Sequence, residues 1–106
     1  MFPESFMVRP SGNPLNKAGW EAIYMDGDVV STSAEVVAVH KIDIVGDAAY
    51  AIVTSHGKFS YKGTENDDIA VVTYFCKKDE AGAWKVAYAQ RSTGRKPDEE
   101  KPNFTF

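Results

Sequence analysis

Residues 66–94, Asn66 to Gly94, read NDDIAVVTYFCKKDEAGAWKVAYAQRSTG, and this stretch decides the fold. It is the pattern of two long antiparallel strands joined by a short polar loop. Apolar residues occupy both of its alternating faces, so each side needs a cover. A loop at Asp79–Ala83 pairs Lys78 with Trp84 and sets odd positions against odd ones. One face then carries Val71, Thr73, Phe75, Ala87, Ala89 and Arg91. The other carries Ala70, Val72, Tyr74, Cys76, Trp84, Val86, Tyr88 and Gln90. The second face is bulkier, and at about 25 cal/mol per Å² leaving it in water forgoes many kcal/mol. One helix cannot cover both faces of a sheet, so the expected second cover is another subunit.

Upstream, Gly46-Asp47 makes a tight turn into a strand over Ala48–Tyr61, and Lys62–Asn66 makes the next connection. Within that strand Ala51, Val53, Ser55, Gly57, Phe59 and Tyr61 alternate with Tyr50, Ile52, Thr54, His56 and Lys58. The small residues Ser55, Gly57, Ala87 and Ala89 gather on the odd face, which suits the inside of a strongly bent sheet. Further back, Val29–Thr32 and Glu35–Ile44 have the β-branched content of a short and a longer strand. Ser5 to Arg9 is a short strand ended by Pro10, and Ser11-Gly12-Asn13-Pro14 turns the chain. Asn13 is placed to cap a helix from Pro14 to about Met25 that stops at Asp26-Gly27. Its apolar stripe is Leu15, Ala18, Ala22 and Met25, widened by Trp20, Ile23 and Tyr24.

The 106 residues suit one domain, expected over residues 1–94 with a polar tail at 95–106. The order of one helix after the first strand, then antiparallel strands, is an α+β pattern. A net charge of −3 supplies no basic field for nucleic acid. No apolar run approaches the roughly 20 residues that span a bilayer, so no membrane partner is expected. The start, MFPESFMVRP, lacks the basic and apolar regions of a signal peptide. With Cys76 as the single cysteine, no intrachain disulfide forms, which fits the cytoplasm. Asn103-Phe104-Thr105 matches a glycosylation sequon and, without an export signal, reads as chance.

Three segments together resemble the nuclear transport factor 2-like superfamily, which includes SnoaL-like and ketosteroid isomerase-like proteins. They are FMVRPSGNPLNKAGWEAIY, GDAAYAIVTSHGKFSYKG and DDIAVVTYFCKKDEAGAWKVAYAQRSTG. The ending WKVAYAQRSTG is also similar to the last strand of the association domain of calcium/calmodulin-dependent protein kinase II, and RPSGNPL to small bacterial and algal members. The resemblance implies a cone-shaped roll: a strongly curved, mostly antiparallel sheet with one short helix after the first strand. Such proteins usually begin with one or two long helices that close the cone's mouth, and this chain starts at the strand that follows. It is then a shortened product, or a neighbouring subunit or the tail fills the gap. The kinase domain places three arginines in its pocket; Arg91 matches one, while Ser55 and Thr73 stand where the others would be. The aspartates of the isomerase-like members have no counterpart here.

Arg91, flanked by Ala89 on the expected concave face, is suited to hold a carboxylate or phosphate. Its alternative role is a strand-end ion pair with Asp67 or Asp68. Trp20, Tyr24, Phe59 and Tyr61 either line an apolar pocket with Ser55 and Thr73, or are themselves the core. His40 and His56 are either an acid or base or strand residues with ordinary hydrogen bonds, and neither has a metal-ligand companion, so no metal or cofactor is expected. Cys76 lies among apolar neighbours, where a thiol behaves as a small hydrophobe. Ser92, His56 and Asp68 have no spacing that asks for a triad, and Asp67-Asp68 opens a strand where it solvates the end or serves as a base. The leading expectation is a homodimer, formed through Tyr50, Ile52, Tyr74, Trp84, Val86 and Tyr88, that binds a small organic ligand, anion or peptide at Arg91. The alternatives are a SnoaL-like acid–base enzyme (isomerase, cyclase or hydrolase) and a pure oligomerisation module, because this scaffold hosts unrelated activities.

Overall fold

A computed structural model describes residues 1–92 and 94–99 of the chain. The elements are β1 (Phe6–Val8), β2 (Pro14–Asn16), α1 (Lys17–Met25), β3 (Val29–Val45), β4 (Ala48–Tyr61), β5 (Thr64–Lys78) and β6 (Trp84–Arg91). One six-stranded sheet holds all strands in the order β2-β1-β6-β5-β4-β3. Only the β1–β6 pairing is parallel; the others are antiparallel. This is the expected α+β roll, a large curved sheet with one short helix.

The helix starts later than its sequence pattern predicts. Pro14 and Leu15 extend into β2 and pair with Val8 and Met7, so Asn13 caps nothing. Pro14 is tolerated there because β2 is a sheet edge and needs no outward N–H. Asn16 takes over as N-cap, its Oδ1 accepting from the Gly19 amide at 2.8 Å. The far end follows expectation: the Asp26 amide bonds the Ala22 carbonyl, and Gly27 turns away at φ 77°. Of the expected stripe, Ala18, Ala22 and Met25 face solvent, Met25 at 85% exposure, while Trp20 and Ile23 turn toward the sheet. The delayed start rotates which residues point inward.

The two strands expected between Val29 and Ile44 are one 17-residue strand, β3. Register irregularities at Ser31/Ser33, Val36/Ala38 and Val39/Lys41 absorb the curvature that the sequence suggested as a break.

Side-chain facing across the sheet depends on two local features. The connection after β4 is only Lys62-Gly63, both at positive φ (49° and 85°), so Tyr61 pairs with Thr64. A five-residue loop over Lys62–Asn66 would have preserved odd-to-odd pairing; the two-residue turn sets odd β4 positions against even β5 ones. Between β5 and β6 the loop is as expected, with Lys78 opposite Trp84, but a bulge follows: Cys76 pairs with Val86 and Phe75 with Tyr88. The inner face therefore holds Val53, Ser55, Val72 and Tyr74, joined by Ala89 and Arg91 beyond the bulge and by Val86 and Trp84 before it. The outer face holds Tyr50, Ile52, Thr73, Phe75 and Tyr88. Thr73 thus leaves the expected pocket face, and Tyr74, Trp84 and Val86 leave the expected convex set. For Ala89 and Arg91 the two parity changes cancel.

The core is small and lies where β4, β5 and β6 meet: Val53, Ala70, Val72 and Ala89 are each 6% exposed or less. Ser5 is fully buried; its hydroxyl donates to the Val86 carbonyl at 2.7 Å and accepts from the Phe2 amide at 2.8 Å. The chain after β6 begins by pairing, since Arg95 and Ile69 exchange both backbone hydrogen bonds. The sequon at Asn103 and the end of the polar tail lie outside the described residues.

In the β5–β6 loop, Asp79 accepts from the Ala81 and Ala83 amides at 2.9 Å each and meets Lys85 Nζ at 3.0 Å. The Lys85 ammonium, with help from those amides, holds the Asp79 carboxyl below its ordinary value. A carboxyl lowered on folding stabilises the fold above its ordinary pKa and loses that contribution as pH falls through the lowered value. Asp79→Asn keeps the acceptor but removes the charge. It should melt earlier than the parent at pH 6, and the gap should close on acidification below pH 4, as thermal scans across pH would read.

Candidate functional site

The curvature of β3 and β4 and the position of α1 enclose a concave cavity of about 280 Å³ at one end of the sheet. From α1 come Trp20, Ile23 and Tyr24; from β3, Val29, Ser31, Ser33 and Ala34; from β4, Ser55, Gly57, Phe59 and Tyr61. Val72 and Tyr74 of β5, Arg91 of β6, His56 of β4 and Met7, Arg9 and Pro10 complete it. Small residues on β4 are what permit this hollow. Gly57 faces inward where a side chain would stand against Phe59 and the Ser33 carbonyl.

Of the residues singled out in the sequence, Arg91, Ser55, Phe59, Tyr61, Trp20 and Tyr24 come together in this lining, while Thr73 stands on the opposite face. Trp20 and Tyr24 meet edge to face at 5.6 Å between centroids. Tyr74 was missed as a cavity residue; the sequence signal that could have found it is Lys62-Gly63, a pair suited to a two-residue hairpin turn.

Arg91 is the charged centre. Its guanidinium carbon lies 5.9 Å from the centre of the Phe59 ring, within cation–π range. Among the described residues its ion-pair partner is Asp68, with Nη2 to Oδ2 at 3.9 Å and both side chains 23% exposed. That is an ion pair without a hydrogen bond. Asp68 fits beside Arg91 because Gly94 leaves room: a Cβ there would come within 2.7 Å of the carboxyl. Arg9 lies at the wall, but its Nε donates to the Asn13 carbonyl at 3.2 Å, so it braces the turn before α1. Burial pushes the Tyr74 phenol above its ordinary value, with Arg91 partly opposing, so it is a protonated donor at neutral pH.

The remaining titratable candidates do not converge here. Asp67 and Asp68 project to opposite faces of β5. On the outer face His56 Nε2 meets Asp67 Oδ1 at 2.5 Å, with Glu35 4.0 Å from its other ring nitrogen. His40 Nε2 bonds Thr54 Oγ1 at 2.6 Å, and the Ser92 hydroxyl accepts from the Val71 amide at 3.0 Å. Ser92, His56 and Asp68 are therefore not assembled as a triad. Burial raises the Cys76 thiol, which suits an inert apolar neighbour. Among the described residues no group of three His, Cys, Asp or Glu is placed to hold a metal ion, and no helix is long and apolar enough to cross a membrane.

A curved sheet with a helix closing one end of its concave face is the nuclear transport factor 2-like architecture, and comparison with solved structures agrees. An NTF2-like protein of unknown function from Prochlorococcus sp. NATL2A is 45% identical over 89% of this chain and 73% of that one, with a TM-score of 0.81. A putative calcium/calmodulin-dependent kinase II association domain from Exiguobacterium sibiricum superposes with a TM-score of 0.78 at 11% identity, over 92% and 74% of the two chains. A ketosteroid isomerase-like protein from Erwinia carotovora atroseptica does so at 0.66 and 17%, over 91% and 76%. These last two share the fold. Residues 3–98 match the model described as "Protein of unknown function (DUF3804)", and the chain belongs to that family. No curated protein matches it.

Proposed function

We propose that the concave cavity binds a small organic ligand or peptide end bearing an anionic group, with Arg91 as its polar anchor. One observation carries this reading. Arg91 lines the cavity, yet among the described residues its guanidinium donates no hydrogen bond to protein, and its one ion pair is at 3.9 Å. Five N–H donors held in a partly shielded hollow are suited to an incoming acceptor. The acid–base alternative has less support: among the described residues the lining contains no carboxylate, and Nε2 of the lining residue His56 is taken up by Asp67 on the outer face.

The test is titration of ¹⁵N-labelled protein with a panel of small organic acids at pH 7. The expected result is saturable shifts of the Ser55 and Gly57 amides, weakened about tenfold or more by Arg91→Gln. Equal affinity in the variant would refute the anchor.

The same reading includes a homodimer through the convex face, where Tyr50, Ile52 and Tyr88 lie with the partly exposed Phe75 and Phe6. The Phe6 and Tyr88 rings pack there at a tilt of 59°, with 5.0 Å between centroids. Ile52→Asp would bury a charge in that contact and should leave a monomer by light scattering; an unchanged dimer would place the contact elsewhere.

A further inference from the structure

The ligand class can be narrowed, on the premise that the cavity binds an anion at Arg91. A second donor stands beside that arginine. Val72 pairs with Arg91 and Tyr74 with Ala89, so Tyr74 and Arg91 are diagonal neighbours on the inner face, within reach of one small group. Tyr74 lines the cavity, and among the described residues its hydroxyl has no hydrogen-bond partner. Two convergent donors, one charged and one neutral, match the two oxygens of a carboxylate. They match a phosphate dianion less well, because Asp68 at 3.9 Å already offsets part of the Arg91 charge and Arg9, the other cation of the lining, is turned to the Asn13 carbonyl.

The rest of the lining specifies what the carboxylate is attached to. Trp20, Tyr24, Phe59 and Tyr61 present rings to the hollow, and the Trp20–Tyr24 pair already adopts the edge-to-face packing that a third ring can extend. A volume of about 280 Å³ lies just below the roughly 300–1,000 Å³ typical of pockets for drug-sized molecules, which leaves room for one ring. We propose that the cavity selects a single-ring aromatic monocarboxylate, its carboxylate received by the Arg91 guanidinium and the Tyr74 hydroxyl and its ring packed among Trp20, Phe59 and Tyr61.

The experiment titrates the full chain with benzoate, cyclohexanecarboxylate, benzyl alcohol and inorganic phosphate at pH 7, following amide and indole resonances. Benzoate should bind saturably, about 3- to 10-fold tighter than cyclohexanecarboxylate, since ring-on-ring packing adds to area burial. Benzyl alcohol and phosphate should bind at least tenfold more weakly than benzoate. Tyr74→Phe should weaken benzoate about 3- to 10-fold while keeping the parent melting temperature within a few degrees, and the Trp20 indole should shift with the ligand in both proteins. Cyclohexanecarboxylate or phosphate binding as tightly as benzoate overturns the aromatic-carboxylate class while leaving an anion site at Arg91. Benzoate affinity unchanged by Tyr74→Phe overturns the two-donor arrangement. Failure of every acid to shift the cavity resonances overturns the inference and the binding reading together.

Discussion

Ser5→Ala should lower the unfolding free energy by about 1–3 kcal/mol, the range for leaving a buried polar group without its partner. Ser5 is fully buried, and its hydroxyl serves two backbone groups at once, donating to Val86 and accepting from Phe2. Val86 stands at the β6 bulge, where the regular ladder to β5 is interrupted. Removing the hydroxyl strips a partner from a carbonyl in a buried setting and frees the residues before β1. In a domain of this size each kcal/mol corresponds to roughly 4–8 °C in melting temperature. Urea titration should show a lower midpoint with an unchanged slope. A Ser5→Ala protein as stable as its parent would mean that water replaces the hydroxyl at Val86. Ser5→Thr, which keeps the hydroxyl but adds a methyl group in a filled site, should fall between the two.

Gly63→Val should cost about 1–2 kcal/mol, because an L residue held in the left-handed region pays a steric penalty of that order and a β-branched one has least freedom to relieve it. Gly63 sits at φ 85° in the two-residue turn between β4 and β5. No atom crowds the position where its Cβ would be, so the expected effect is one of backbone conformation and not of packing. Lys62, at φ 49°, already tolerates the same region; Lys62→Gly should therefore be neutral or slightly stabilising. Equilibrium unfolding of the two variants checks the pair of signs. The turn matters beyond its own energy, since a longer connection would reset β5 by one residue and exchange Tyr74 for Thr73 in the cavity.

That dependence explains what the sequence made legible. The long strands β4, β5 and β6 were readable from alternation and turn residues, and the resemblance in three segments agreed with the fold. Which side each residue faces was not, because facing is a parity that one extra or missing residue inverts. Lys62-Gly63 was read as part of a five-residue connection, which misassigned Tyr74 and Thr73. Trp84 and Val86 precede the β6 bulge and were misassigned together with Tyr74 by that same turn; the bulge, which leaves no compositional mark in KVAYAQ, returns Tyr88, Ala89 and Arg91 to their expected faces. Arg91 was placed on the cavity side only because the two effects cancel. The helix start was misread for a related reason: Asn13-Pro14 and Asn16 both satisfy local capping rules, and pairing of Leu15 with Met7 decides between them. The neighbourhood of Arg91 and Asp68 depends on contacts between residues more than twenty positions apart, which no local pattern encodes.

Beyond the end closed by α1, the inner face continues as an apolar slope, with Val36, Ile42, Ile44 and Trp84 between 43% and 64% exposed. A net charge of −3 opposes contact between such slopes on separate molecules. At physiological ionic strength that repulsion fades within about 8 Å, whereas apolar adhesion is strengthened by sulfate and similar excluded salts. For this chain, then, concentrated sulfate should favour contact between these slopes more than dilute chloride does.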